Sequence, residues 1–320
     1  MPRPSEYQTR SVALETPPAS ANADDHADWL ELNALVSGRR GASLEDLVSA
    51  LRTTGSTEAL GDEAPVDRGS ERAQAIAESA MSIIEQRSKS CARQESYPFT
   101  VTAGRLVPTG SARRSTYAYL LLLTATGINV NPPGEVGAGL FEDVSAVAAR
   151  SYFGGDATGA QTYAFGFPRR VKPASFMRAV DDLCRQMGEG GGAKVRPTNR
   201  SQKDAKLDLV VWIPMPDGRA GKVLAFGQCA TGNNWQTKLS ELQSEAWCRK
   251  WFIDQPPVTP LRLFFLPHSV PLASWDCHAQ DAGIIFDRCR IASHASRLRP
   301  DLRRRVVAWS THALAERFAA

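Results

Sequence analysis

Hydrophobic positions recur at helical spacing through the first 190 residues, then give way to short unbroken apolar runs between residues 207 and 267. In the first part, Trp29, Leu32, Leu35 and Val36 mark a short amphipathic helix over Asp28 to Val36, and Ser43-Leu44-Glu45-Asp46 opens a second with a serine cap and an acid at its third position. The stretch from Gly55 to Gly69 breaks the pattern. Ile76, Ala80, Ile83 and Ile84 restore it in a helix over Glu71 to Cys91, and Tyr97 to Val107 reads as extended chain before a Pro-Thr-Gly turn. Arg114 to Thr126 predicts a strongly apolar helix, closed by Asn131-Pro-Pro-Gly. Leu140, Val144, Val147 and Ala148 then repeat at helical spacing up to glycines 154 and 155. Phe176, Val180, Leu183, Cys184 and Met187 define a further helix, ended by Gly188 and followed by the flexible Gly190 to Gly192. Asp181 and Asp182 on that helix read as surface residues.

The second half changes character. Lys194 to Lys206 is a polar, basic loop leading into two apolar runs, Leu207 to Ile213 and Lys222 to Cys229, which flank the turn-rich Pro-Met-Pro-Asp-Gly-Arg-Ala-Gly. An antiparallel hairpin follows from that arrangement. Asp208 and Gln228 are equidistant from Gly218, so an unbulged hairpin sets them opposite one another with Cβ atoms about 5 Å apart. An acid and an amide thus meet on otherwise apolar strands, and function is placed in the stretch from Lys203 to Lys238. Beyond it, Asn233 or Asn234 caps a helix running to about Phe252, with Trp235, Leu239, Leu242 and Ala246 on its buried side and Lys238 beside that face. The tryptophans 235, 247 and 251 have core spacing and read as packing. Leu261 to Leu266 between prolines is a buried strand, Gly283 to Ile291 another, and Asp301 to Phe318 a basic terminal helix.

The order helix, hairpin, helix, strand predicts a mixed α/β fold, with a sheet flanked by helices and a mainly helical region ahead of it. The expected division is a tail over residues 1–23, a helical scaffold or interaction region over 24–130, and an α/β domain over 131–320. With 320 residues and 42% hydrophobic content, the chain can build a substantial core. The longest apolar run, Tyr117 to Leu123, falls far short of the roughly 20 residues that span a bilayer, so no membrane segment is expected. Six scattered cysteines and no apolar leader suit a reducing cytoplasm. The formal charge of +4 demands no anionic partner, but the basic residues crowd the end of the chain, from Arg288 and Arg290 through Arg297, Arg299, Arg303, Arg304 and Arg305 to Arg317.

Several motifs offer rival chemistry. Gly227 to Gly232 has the glycine spacing of a phosphate loop, but Asn233 and Asn234 replace the Lys and Ser/Thr that such a loop needs. Cys229 with His268 as base makes a thiol hydrolase conceivable, although a cysteine ending an apolar strand is ordinarily core. Cys277, His278, Cys289 and His294 cluster without the short ligand pairs of a zinc site. The acid and amide carry more. An aspartate with an oxygen donor opposite can hold Mg²⁺, and a nearby lysine can assist the attacking water or stabilise charge on a phosphate.

Glu142 in Leu-Phe-Glu, Asp208 starting a hydrophobic strand, and Gly-Gln-Cys ending the next strand together resemble the restriction-endonuclease-like superfamily, often written PD-(D/E)xK, in its branch with Gln for the second acid. The resemblance covers about residues 140–270. It implies Mg²⁺- or Mn²⁺-dependent cleavage of DNA phosphodiesters by a prokaryotic endonuclease, in restriction or defence against foreign DNA. Carried over, Asp208 and Gln228 are the metal ligands and Glu142 the supporting acid. Leu207 stands where the motif has Pro and Ala230 where it has Lys, and Lys238 is the candidate for a migrated lysine. Arg299, Arg303, Arg304 and Arg305 become contacts to the DNA backbone. The helical region before residue 130 is assigned a regulatory protein partner or a second copy of the chain. The competing reading is a nuclease fold that has lost its chemistry and serves as a DNA- or protein-binding sensor subunit.

Overall fold

The structure, a computed structural model, describes residues 14–58, 66–92, 96–128, 130–166, 175–194 and 205–318. The chain is of mixed α/β class, with one three-stranded antiparallel sheet, one five-stranded mixed sheet, and helices against them. It divides into two compact units, one made of Met1–Gly134 with Val306–Ala320, the other of Glu135–Arg305. The division between the units falls at the Asn131-Pro-Pro-Gly turn, and the last residues group with the first unit, whereas the sequence reading placed all of 131–320 in one domain.

In the first unit, Asn22 accepts the Asp25 N–H at 2.8 Å and so starts α1 (Ala23–Ser37) five residues before the expected start at Asp28. A short strand β1 (Ala42–Ser43) leads to α2 (Leu44–Glu58), which runs through Gly55, and α3 (Val66–Ala92) follows. The extended segment is a hairpin of β2 (Phe99–Thr102) and β3 (Arg105–Pro108), turned by Ala103 and Gly104 at φ 46° and 72°. β3 also pairs with β1. The Ser115 hydroxyl caps α4 (Thr116–Thr126), whose residues from Tyr117 to Leu123 are all fully buried. A helix apolar on every side belongs inside a core, and α4 fills that place in this unit.

The second unit begins with α5 (Gly137–Tyr152), then β4 (Gln161–Ala164) and α6 (Phe176–Met187). The hairpin follows as β5 (Leu209–Trp212) and β6 (Leu224–Cys229). After it come α7 (Ser244–Trp251), β7 (Leu261–Phe265), α8 (Leu272–Ala282), β8 (Ile284–Phe286), α9 (Arg288–His294) and α10 (Pro300–Phe318). The sheet order is β4-β5-β6-β7-β8, antiparallel across the first three strands and parallel across the last three. The two sides of the sheet differ. Val210, Trp212, Leu224 and Phe226 pack with Phe176 and Leu183 of α6 and Trp247 and Trp251 of α7. On the other side Phe265 and Phe286 stack, and Phe286 meets Tyr152 of α5 and His294 of α9.

The predicted helix from Asn233 to Phe252 is two pieces, a 3-10 turn over Trp235–Lys238 and α7. Trp235 and Leu239 pack with Phe264 and Ile285, whereas Trp247 and Trp251 pack with Phe226. One straight helix cannot serve both clusters, and Ala246, expected inside, is exposed. Asp181 is exposed, as expected, and its carboxylate also accepts the Ala193 N–H at 2.6 Å. Residues 195–204 of the predicted basic loop, including Lys203, lie outside the described residues.

Candidate active site at the end of the hairpin

The hairpin register pairs Leu209 with Gly227 and Trp212 with Leu224, as symmetry about Gly218 requires. The regular ladder ends one residue short of the expected pair. The Asp208 N–H donates to the Gly227 carbonyl at 2.9 Å, although Gly227 is the register partner of Leu209. Two residues of one strand thus address one of the other, the count of a β-bulge, which turns a side chain away from its regular face. The Asp208 carbonyl meanwhile takes two N–H groups, from Phe165 at 2.7 Å and Gly166 at 2.9 Å.

The bulge decides which groups meet. The Asp208 carboxylate accepts the Cys229 N–H at 2.7 Å. The Cys229 thiol is driven well above its ordinary range, first by burial and then by the nearby charges of Asp208 and Glu142, with the Ser145 hydroxyl acting in the opposite sense. Glu142, from the second turn of α5, lays its carboxylate against Gly166, where an added Cβ would fall 2.4 Å from Oε2. Gly166 therefore leaves the room that the Glu142 carboxylate occupies. Asp208, Glu142, Cys229 and Ser145 form one cluster on the α5 side of the sheet.

Gln228 precedes Cys229 in a regular strand and points to the opposite side. It does not share a hydrogen bond with Asp208. Its Nε2 donates to Glu241 Oε2 at 2.8 Å, and Glu241 in turn lies 3.2 Å from the Lys206 ammonium. Gln228 is only 4% exposed, and its Oε1 has no hydrogen-bond partner among the described residues. This corrects the expectation that Asp208 and Gln228 face each other as a pair: the extra residue at the bulge puts their side chains on different sides. Lys238, at the end of the 3-10 turn, is half-buried and forms no ion pair with Asp208. Sequence reasoning missed Glu241 and Lys206. The left-handed φ values of Ala205 and Lys206, 54° and 68°, leave no mark in residues other than glycine that could have flagged them.

The donor set of the acid cluster is oxygen-rich and suits a hard cation, since Mg²⁺ takes one or two carboxylates and keeps several waters. Among the described residues, no three His, Cys, Asp or Glu side chains gather as a metal-ligand group. The fit is therefore that of a two-carboxylate site, with Cys229 too soft and too firmly protonated to join it.

The basic residues divide by environment. Arg299, Arg303 and Arg304 are exposed, whereas Arg305 binds Glu135 and Asp143 through contacts of 2.7 Å each. Arg288 is fully buried and donates to the Pro267 carbonyl, and Arg290 lies over the Trp275 ring. The zinc candidates stay dispersed among packing contacts: Cys289 is buried, Cys277 is exposed, and His278 and His294 meet Trp235 and Tyr152 edge-to-face. No described helix is long and apolar enough to cross a membrane. No protein family, curated protein or solved structure matches the chain.

Proposed function

We propose that the chain is a Mg²⁺- or Mn²⁺-dependent phosphodiester hydrolase acting on DNA, a restriction-endonuclease-like enzyme suited to defence against foreign DNA. The observation that carries this reading is the convergence of Asp208 and Glu142 at Cys229, where a strand end, a bulge and a close-packed glycine bring two carboxylates from distant parts of the chain together. A bound Mg²⁺ supplies Lewis-acid polarisation of a phosphate and a more acidic water. Asp208 and Glu142 would hold it. The hydrogen bond from Cys229 N–H fixes the orientation of the Asp208 carboxylate. The exposed Arg299, Arg303 and Arg304 would bind the phosphate backbone without reading sequence.

A second reading is favoured by Cys229 itself. A protonated thiol occupies the strand position nearest both acids, Gln228 faces away, and Lys238 is unpaired with Asp208. Those features suit a nuclease fold that binds DNA or a protein and no longer cleaves.

The test is cleavage of plasmid, linear duplex, single-stranded DNA and RNA with and without Mg²⁺. Asp208→Asn keeps an oxygen acceptor for the Cys229 N–H while removing the charge, so it preserves the fold better than Asp208→Ala. Both variants are expected to abolish Mg²⁺-dependent cleavage, a loss of at least about 100-fold. Equal nicking by D208N and wild type sinks the hydrolase reading. DNA retention without cleavage of any substrate selects the binding reading.

A further inference from the structure

Three segments of the first unit carry the exposed arginines Arg39, Arg40, Arg105, Arg113 and Arg114: a 3-10 turn over Gly38–Arg40 that follows α1, the strand β3, and a 3-10 turn over Ala112–Arg114 that leads into α4. The fold gathers these segments at the end of α1. Arg113 donates from Nε and Nη2 to the Leu35 carbonyl at 3.2 and 3.0 Å, and from Nη2 to the Val36 carbonyl at 3.1 Å, so it caps carbonyls that the helix end leaves open. The same Nη2 stands 3.9 Å from where a Cβ on Gly38 would be. Arg105 Nη1 donates to the Arg40 carbonyl at 2.9 Å. Two guanidinium groups are thus braced by backbone, while Arg39, Arg40 and Arg114 donate no side-chain hydrogen bond among the described residues. The charge is almost uncompensated. Among the described residues the one ion pair that any of the five forms joins Arg40 to Asp46 at 4.0 Å, and the other oxygen of that carboxylate already accepts the Ser43 N–H at 2.7 Å. Like charges gathered without counter-ions repel one another, and an anion laid across them relieves that repulsion.

We propose that this face of the first unit binds the phosphate backbone of a nucleic acid duplex without reading its sequence. The chemistry of the patch selects that partner. A guanidinium is planar, permanently charged and matches phosphate oxygens in pairs. None of the exposed large apolar side chains belongs to residues 35–46 or 102–114, so the face has nothing to insert into a bilayer. Trp29, Tyr97, Phe99, Tyr117 and Tyr119 of this unit are buried, so they offer no platform on which the unpaired bases of a single strand stack. Contact to phosphates is what remains, and such contacts position a duplex while carrying no sequence information. The site uses neither the acid pair nor the arginines of α10, and it stands whether the chain cleaves or only binds.

Fluorescence anisotropy tests this with the full chain in EDTA, which prevents metal-dependent cleavage, on DNA and RNA duplexes of about 20 base pairs titrated across a range of salt. The combined variant Arg39→Gln, Arg40→Gln, Arg114→Gln is expected to weaken binding at least about 10-fold at about 0.1 M salt. It should also lower the slope of log Kd against log salt by about 1 for each arginine that meets a phosphate. The loss should be equal on duplexes of different sequence, and the lysine equivalents R39K, R40K and R114K, which retain the charge, should keep the slope. Thermal unfolding of the glutamine variant should match wild type; if it melts early, the three single glutamine variants are read in the same way. Unchanged affinity and slope in the glutamine variants, or no duplex binding by wild type, overturns the proposal. So does tighter binding to single strands, to vesicles of phosphatidylcholine and phosphatidylserine in equal parts, or to a polyglutamate peptide than to duplex.

Discussion

The thiols illustrate how one residue type takes different character from its surroundings. Cys184 and Cys248 are each pushed from an ordinary thiol value of 9.0 to about 12, chiefly by burial, and Cys229 is pushed well above that ordinary value for the same reason, with two carboxylates adding to it. Cys277 is exposed. Alkylation by iodoacetamide at pH 7.5 (about neutral, where only the thiolate reacts) should label Cys277 within minutes and leave Cys184, Cys229 and Cys248 unmodified until unfolding. Peptide mass spectrometry checks this, and rapid labelling of Cys229 would contradict the raised pKa of its thiol. The same shifts have a stability consequence. Because the folded values lie above the unfolded ones, the unfolded chain releases protons first as pH rises. Stability is therefore complete below about pH 9 and is lost progressively toward pH 12, the window set by Cys184 and Cys248. Urea midpoints measured across that range should fall, and replacing both cysteines by alanine should flatten the decline.

At the scale of elements, the first unit is held by a polar cluster that hydrophobic periodicity could not reveal. Glu31 of α1 is fully buried and accepts from Arg87 of α3 at 3.0 Å, from Tyr97 OH at 2.7 Å and from Tyr117 OH of α4 at 2.9 Å. Arg87 also reaches Asp24 at 3.0 Å and Asp28 at 2.7 Å. Burial opposes the Arg87 charge, but Glu31, Asp28 and Asp24 outweigh it and hold the guanidinium above its usual range. Burial and Glu31 together push the Tyr97 phenol up, so it stays a donor at every physiological pH. Removing one member strands the others. Arg87→Met should destabilise the protein by about 3 to 5 kcal/mol, the cost of leaving buried carboxylates without their cation. Tyr97→Phe should cost about 1.5 to 3 kcal/mol, one hydrogen bond to a charged group. Urea denaturation of the two variants gives both numbers, and an effect of R87M smaller than that of Y97F would show that the cluster is not what joins α1 to α3.

For the whole molecule, the defining feature is that the chain returns to its first unit at Val306. Val306, Trp309 and Ala313 of α10 are fully buried, and the Trp309 ring packs edge-on against Tyr119 of α4 at 5.2 Å. Trp309 Nε1 also donates to Asn131 at 3.3 Å. The terminal helix therefore supplies core to residues nearly two hundred positions earlier, and only its exposed arginines remain for a ligand. Trp309→Ala should cost about 3 to 5 kcal/mol through the cavity it leaves. The loss should be local: hydrogen exchange is expected to accelerate in α4 while β5, β6 and β7 keep their protection. Uniform deprotection of both units would show that they unfold as one.

Much of the architecture was legible because apolar periodicity reports directly which faces must leave water. The bounds of α6, the apolar α4, the hairpin with its symmetry about Gly218, and the buried β7 all follow from local pattern. The site was legible only in part. Sequence pointed to Asp208, Glu142 and Gln228, but pattern assumes an unbroken ladder, and side chains alternate so strictly in a strand that one extra residue moves an acid to the other face. That residue is Asp208, and its bulge depends on hydrogen bonds to Gly227 and Cys229 that form only when the strands pair. Lys206 and Glu241 meet across 35 positions, and Arg305 is held by carboxylates more than 160 positions away. Local sequence fixes propensity and face. Which charged group finds which partner was decided by the tertiary structure, because an ion pair depends on distance in space and leaves no periodic trace along the chain.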